Sequence, residues 1–241
     1  RDLDLARDMQ NGLLPIIFPK PTPENQLDLH ARLIPAYEVS GDLYDFFPAP
    51  DGKLYFLVGD VSGKGVAAGL FMAVTRTLVR AEARQNLSPV EILTEVNNQL
   101  VPENSALLFV TIILGVYDPA SGLIRYAQGG HNPAVLLKAD GSADFEPSGG
   151  QPLGVFGDAN FGDYSVQLNP GDSFILYSDG ITEAMNDQEH PYGEERFLQL
   201  LHGRQDLPAK DLNQLVTADV KTFANGAEQS DDITILTLKR I

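Results

Sequence analysis

The sequence predicts an α+β sandwich: two packed, mainly antiparallel sheets with helices on the outside. Short runs rich in β-branched and aromatic residues lie on both sides of a helical block, the arrangement expected of stacked sheets covered by helices. The turn sequences Asp51-Gly52, Asp118-Pro119-Ala120-Ser121-Gly122 and Asn169-Pro170-Gly171-Asp172 separate those runs. The 241 residues suffice for one large domain with its own core, and no internal repeat divides them.

Residues 1–14 carry Leu5, Met9 and Leu13 at helical spacing with no N-cap ahead of them, so they read as the end of a longer helix. Pro15, Pro19, Pro21 and Pro23 then break regular structure and mark a linker. The expected division is therefore residues 1–25 as helix end and linker, and residues 26–241 as the main domain. Leu27 to Tyr37 reads as extended, and Lys53 to Val58 as a strand entered from the Asp51-Gly52 turn. From Gly65 to about Arg84 the pattern is helical, with Leu70, Ala73, Val74, Thr77 and Leu78 as the expected apolar stripe. Ser88 caps the next helix, Pro89 takes its first position and Glu91 closes a capping box; Ile92, Leu93, Val96 and Leu100 form its buried face. Strands follow over Leu108–Tyr117, Leu123–Ala127, Ala134–Lys138, Asp163–Leu168 and Phe174–Tyr177. Helices over Glu194–Leu201 and Ala209–Phe223 precede a last strand, Ile233–Leu238.

Composition removes several classes of function. With no cysteine, disulfides, thiolate catalysis and cysteine-bound zinc are excluded, and a cytoplasmic location is expected. The formal charge of -16 repels nucleic acid. The longest apolar stretch, Leu107 to Val116, falls far short of the roughly 20 residues that span a bilayer, so no membrane insertion of this fragment is expected.

Four acidic clusters each stand beside a strand: Ser40-Gly41-Asp42-Leu43-Tyr44-Asp45, Gly59-Asp60-Val61-Ser62-Gly63, Ser178-Asp179-Gly180 and Ser230-Asp231-Asp232-Ile233-Thr234. One Asp-Gly at a strand end is usually a turn, and Asp172 and Asp187 are read that way. Four such clusters point to one carboxylate site assembled from the whole fold. Hard cations such as Mg²⁺ and Mn²⁺ prefer oxygen ligands, and two ions about 3.5–4 Å apart can activate one water and polarise a phosphoryl oxygen. Lys64 between glycines does not make a phosphate loop, because Val58 stands where the Walker pattern needs glycine and Gly65 where it needs Ser or Thr. His131, in Gly129-Gly130-His131-Asn132-Pro133, is read as locking its loop.

These strings, together with Phe109-Val110-Thr111 and Tyr177-Ser178-Asp179-Gly180-Ile181-Thr182-Glu183-Ala184, resemble the bacterial metal-dependent Ser/Thr protein phosphatases of the branch containing SpoIIE and RsbU. The resemblance runs in order from about Leu27 to Leu238. It implies a central β-sandwich flanked by helices (αββα), with two Mn²⁺ or Mg²⁺ ions at one end. By position it makes Asp42, Asp60, the Val61 carbonyl, Asp179 and Asp231 the metal ligands, with Asp60 bridging both ions and Asp60 and Asp179 central to catalysis. Asp45, Asp232 and His131 are expected to orient ligands or waters from one layer further out. The first motif departs from the branch in carrying Ser40 in place of a glycine, and no arginine precedes it to hold phosphate.

The implied reaction is hydrolysis of phosphoserine or phosphothreonine on a regulatory protein, an anti-sigma-factor antagonist in this branch. The implied partners are an upstream sensory or receiver domain and a second copy joined through the N-terminal helix. Deleting residues 1–14 is then expected to change turnover or oligomeric state. A partner-binding module retaining the fold and a small-molecule phosphomonoesterase are the alternative readings.

Overall fold

Strands β1 (Leu27–Ile34), β2 (Leu43–Pro48), β3 (Leu54–Val61), β4 (Val110–Tyr117), β5 (Leu123–Gly129), β6 (Val135–Leu137), β7 (Ala143–Phe145), β8 (Gly162–Gln167), β9 (Ser173–Tyr177) and β10 (Ile233–Arg240) pair antiparallel into two five-stranded sheets. Their orders are β1-β10-β9-β6-β7 and β2-β3-β4-β5-β8. Helices α1 (Asp2–Leu13), α2 (Val66–Ala83), α3 (Pro89–Glu103), α4 (Asp179–Thr182), α5 (Glu194–Leu201) and α6 (Ala209–Ala224) complete the chain. The computed structural model describes residues 2–22 and 25–241; Arg1, and Pro23 of the expected linker, lie outside the described residues.

The strand alternation explains the layers. Tyr44 and Phe46 of β2, Phe56 and Val58 of β3, and Phe174, Leu176, Leu236 and Leu238 of the other sheet meet in a core between the sheets. The opposite faces pack helices. Leu43, Phe47 and Leu57 lie against Met72, Val79, Ile92 and Val96 of α2 and α3, whereas Ile175, Tyr177 and Ile235 lie against Phe197, Leu212 and Val216 of α5 and α6. The expected αββα sandwich is the observed one.

The capping box at Ser88 forms, with Glu91 accepting from the Ser88 N–H at 2.8 Å. The stripe expected on α2 does not become its buried face. Leu70 and Val74 are exposed, and the side that meets the sheet is Ala68, Met72, Thr75, Val79 and Ala83. Helix α2 carries apolar residues on two faces, so periodicity alone does not select the one that packs. Similarly, the α1 residues Leu5 and Met9 point outward, while Gln10 is the buried residue of that helix.

Candidate metal centre

Strand pairing brings the four acidic clusters to one end of the sandwich. In the β2–β3 hairpin Leu43 lies opposite Gly59, so Asp42, just before β2, stands beside Asp60, near the end of β3. In the other sheet Tyr177 lies opposite Ile235, so Asp179, just after β9, stands beside Asp231 and Asp232, just before β10. Close backbone approach fixes each half internally. A Cβ added at Gly41 would sit 2.8 Å from the Val61 carbonyl oxygen, and one added at Gly180 would sit 2.0 Å from that of Asp232.

The resulting electrostatics are those of crowded like charges. Burial, followed by repulsion from Asp179 and Asp231, pushes the Asp60 carboxyl up to about 7. Asp42 is driven well above the usual carboxylate range, first by burial and then by Asp60; hydroxyl hydrogen bonds from Thr234 and Ser178 oppose that shift. Asp179 is raised by burial, then by Glu183 and Asp231. Among the described residues no three acidic or histidine side chains stand at metal-ligand spacing. The donor set nonetheless fits a hard divalent cation, because it offers only oxygens and its mutual repulsion is relieved by positive charge.

Asp232 is tied into the loop ahead of Asp42. Its carboxylate accepts from the Ser40 hydroxyl at 2.6 Å, the Gly41 N–H at 2.9 Å and the Ala36 N–H at 2.8 Å, fixing the loop that presents Asp42. Thr234, two residues on along β10, donates to Asp42 Oδ2 at 2.5 Å. Asp45 is not brought to this group. It is buried on the α2 side, where Arg80 grips both carboxylate oxygens at 2.6 and 2.7 Å and Arg76 approaches to 3.0 Å. Since Asp45 shares its strand face with Leu43 and Phe47, it points to the helix, and its role is to fasten α2 to β2.

His131 is a buried brace between the sheets. Its Nδ1 lies 2.9 Å from the Thr111 hydroxyl and its Nε2 3.1 Å from the Tyr177 carbonyl. Thr111 pairs with Asp60 across the β3–β4 ladder, and Tyr177 precedes Ser178-Asp179, so the ring ties together the strands behind both acids. Burial lowers its pKa to about 4, so it is neutral, with Nε2 donating to Tyr177 and Nδ1 accepting from Thr111. A folded pKa below the unfolded value makes stability complete above about 6.5 and lost as pH falls toward 4. Between pH 7 and 5 this costs about 2 kcal/mol. The raised Asp60 and Asp42 carboxyls gain stability over the same window and are common to both proteins, so the test is the difference between wild type and His131→Gln in urea unfolding with chelator. That difference is expected to shift against the wild type by about 2 kcal/mol from pH 7 to 5, and an unchanged difference would show that the imidazole is not held neutral.

Sequence reading missed four contributors. Ser178 and Thr234 were visible only as parts of motifs, although Thr234 follows Asp232 at the two-residue spacing that keeps both on one strand face. Lys64 projects from the β3–α2 loop. Its Nζ donates to the Ser230 carbonyl at 2.7 Å and lies 3.8 Å from Asp231 Oδ2 and 4.9 Å from the Tyr37 ring centre. Gln10 of α1 clasps the backbone of Ser40, donating to its carbonyl at 2.6 Å and accepting from its N–H at 2.9 Å.

The family model for stage II sporulation protein E (SpoIIE) matches residues 50–241. Protein IcfG of Synechocystis is 27% identical over 266 residues, an alignment covering 99% of this chain and 41% of IcfG. Phosphoserine phosphatase RsbP of Bacillus subtilis is 25% identical over 236 residues, covering 96% of this chain and 56% of RsbP. The chain thus spans about half the length of these curated relatives. The SiaA-PP2C domain of Pseudomonas aeruginosa superposes with a TM-score of 0.86 at 23% identity, covering 99% of this chain and 95% of that domain, a likeness of fold. No helix among the described residues is long and apolar enough to cross a membrane.

Proposed function

Because the chain belongs to the SpoIIE family, we propose that it is a metal-dependent protein serine/threonine phosphatase acting on a regulatory phosphoprotein. The observation that carries this reading is the convergence of Asp42, Asp60, Asp179 and Asp231, where burial first, and then repulsion from Asp179 and Asp231, raises the Asp60 carboxyl to about 7. Those carboxylates and the Val61 carbonyl would hold two Mn²⁺ or Mg²⁺ ions. Bound there, the ions supply a nucleophilic water at neutral pH and withdraw charge from the phosphoryl group. The chain's own residues prepare the site. Asp232 fixes the Ser40-Gly41 turn, Thr234 orients the Asp42 carboxylate, and His131 braces the strands behind Asp60 and Asp179. Lys64, at the rim beside Asp231, is the cation placed to meet the incoming phosphate, the task for which no arginine precedes the first motif.

The test is hydrolysis of p-nitrophenyl phosphate and of a phosphoserine peptide with Mn²⁺, with Mg²⁺ and with chelator. Activity on both that disappears with chelator is expected; activity that persists in chelator would overturn the metal-dependent reading, and activity on small phosphomonoesters alone would overturn the protein substrate.

RsbP carries the name phosphoserine phosphatase, which supports phosphoserine as the group hydrolysed; a phosphorylated anti-sigma-factor antagonist-like protein as its carrier, and a cytoplasmic setting, complete the proposal. The division into residues 1–25 and 26–241 belongs to the same reading, with an upstream sensory or receiver domain continuing α1. The outward Leu5 and Met9 offer that helix an apolar seam for a second copy, and Gln10 carries its position to the Asp42 loop through Ser40. Gln10→Ala is expected to lower kcat on p-nitrophenyl phosphate about tenfold, in line with the loss of about two hydrogen bonds that hold catalytic geometry. An unchanged kcat would disconnect α1 from the site.

A further inference from the structure

A groove with a volume of about 670 Å³ opens beside the acids, between the end of β1, helix α6 and the segment 226–231. That volume suits a few side chains of a bound segment. Gly180 and Asp231 line it as well as standing in the acid cluster, so the groove is continuous with the reacting centre. Its floor is apolar, with Ile34 and Ile233 below and Met185 and Ala218 at the mouth. Met185 is 44% exposed, and its unbranched side chain adapts to different occupants. The lip is fixed, because Gln229 Nε2 donates both to the Ile34 carbonyl at 2.9 Å and to the Asp231 carbonyl at 2.7 Å.

Charge is distributed unevenly around this opening. Arg32 of β1 and Lys221 of α6 stand on one wall, and Glu228 and Asp231 on the loop wall. Arg32 is steadied by a 3.0 Å hydrogen bond from Nη1 to the Thr217 hydroxyl. In a chain of net charge -16, two cations together on one wall form a local reversal of sign. Resting on the phosphatase reading, we propose that this groove docks the substrate segment flanking the phosphoserine, burying one apolar side chain and setting one acidic side chain against Arg32 and Lys221. The phosphoserine then lies at the acids and the chain leading from it enters the groove past Gly180 and Asp231, which line its near end. The protein therefore selects substrates by an apolar and an acidic residue on the same side of the phosphorylated residue.

The probes are phosphoserine undecapeptides in which leucine or alanine, and aspartate or lysine, are moved through the flanking positions, with p-nitrophenyl phosphate as a substrate too small to reach the groove. Ala218 is exposed on α6, so Ala218→Trp fills the groove from the surface, and Lys221→Glu reverses one cation. The wild type is expected to prefer leucine at one flanking position by about tenfold in kcat/KM, the scale of a side chain gained in an apolar pocket. Ala218→Trp should abolish that preference, and Lys221→Glu should turn the preference for aspartate toward lysine, both leaving p-nitrophenyl phosphate turnover within about twofold. Wild-type peptide selectivity in both variants overturns the proposal, as does an equal fall on p-nitrophenyl phosphate. If the wild type hydrolyses neither substrate, the phosphatase reading fails separately. Fluorescence anisotropy of the leucine peptide then decides the groove: binding weakened by Ala218→Trp supports it, and unchanged or absent binding overturns it.

Discussion

Asp60→Asn is expected to abolish metal-dependent turnover, by about a thousandfold or more, and at the same time to raise the melting temperature of the protein in chelator. The two effects have one cause. Asp60 is mostly enclosed and faces Asp179 and Asp231, so ionising it in the metal-free protein adds a charge where burial and two neighbours oppose it. Asparagine keeps the shape and removes that charge, worth about 1–3 kcal/mol near pH 8 and several degrees in a domain of this size. The same substitution removes one carboxylate from the group that would hold the cations, so the stabilisation by added Mn²⁺, which grows with concentration in the wild type, should be much reduced. Thermal melts with chelator and with graded Mn²⁺, alongside p-nitrophenyl phosphate assays, read both effects. A variant that melts lower in chelator, or that keeps wild-type turnover, would show that Asp60 is not at the centre of a repelling cluster.

The opposed signs distinguish a ligand site from a structural network. Asp45 makes the contrast within the same motif: it is as deeply buried, yet its carboxylate meets Arg80 and Arg76, so removing it would leave cations unpaired rather than relieve repulsion. The sequence places Asp42 and Asp45 three residues apart and offers no sign that one faces the acids and the other a helix. Strand alternation provides it once β2 is recognised: Asp45 falls in register with Leu43 and Phe47, and Arg76 and Arg80 lie four apart on the facing helix. Strand β2 reads in sequence as an acidic cluster, because Asp45 and its short length mask the apolar alternation.

Other parts were legible for reasons equally local. The capping box at Ser88 and the turn at Asp51-Gly52 depend on neighbours in sequence, and both form as expected. The acids themselves could be picked out because each sits at a strand end beside glycine or serine. Their supports could not, since they join distant parts of the chain: Ser40 to Asp232, Thr234 to Asp42, Gln10 to Ser40. The face of α2 was misjudged for a related reason, as Leu70 and Val74 are more apolar than the Ala68 and Thr75 that pack. Close packing selected small side chains there, which hydrophobic periodicity undervalues.

Gly180→Ala is the second substitution of large expected effect, and it tests the backbone rather than the charges. Gly180 lies in α4 with ordinary helical dihedrals, so alanine is tolerated by the local conformation. Its Cβ would nevertheless fall 2.0 Å from the Asp232 carbonyl oxygen and 2.9 Å from the carbonyl carbon. Those atoms belong to the main chain immediately before β10 and cannot turn aside as a side chain would. Either α4 moves, carrying Asp179, or the segment before β10 moves, carrying Asp231 and Asp232; in both cases Asp179 and Asp231 separate by a sizeable fraction of an ångström. Overpacking of this kind costs about 1–3 kcal/mol, and displacement near 1 Å at a reacting centre costs about a hundredfold in rate. Gly180→Ala is therefore expected to fold, to melt several degrees lower, and to lose about a hundredfold in kcat on p-nitrophenyl phosphate at saturating Mn²⁺. Retention of wild-type turnover would mean that Asp179 and Asp231 need not keep their present separation, and the assignment of both to one metal centre would fall with it.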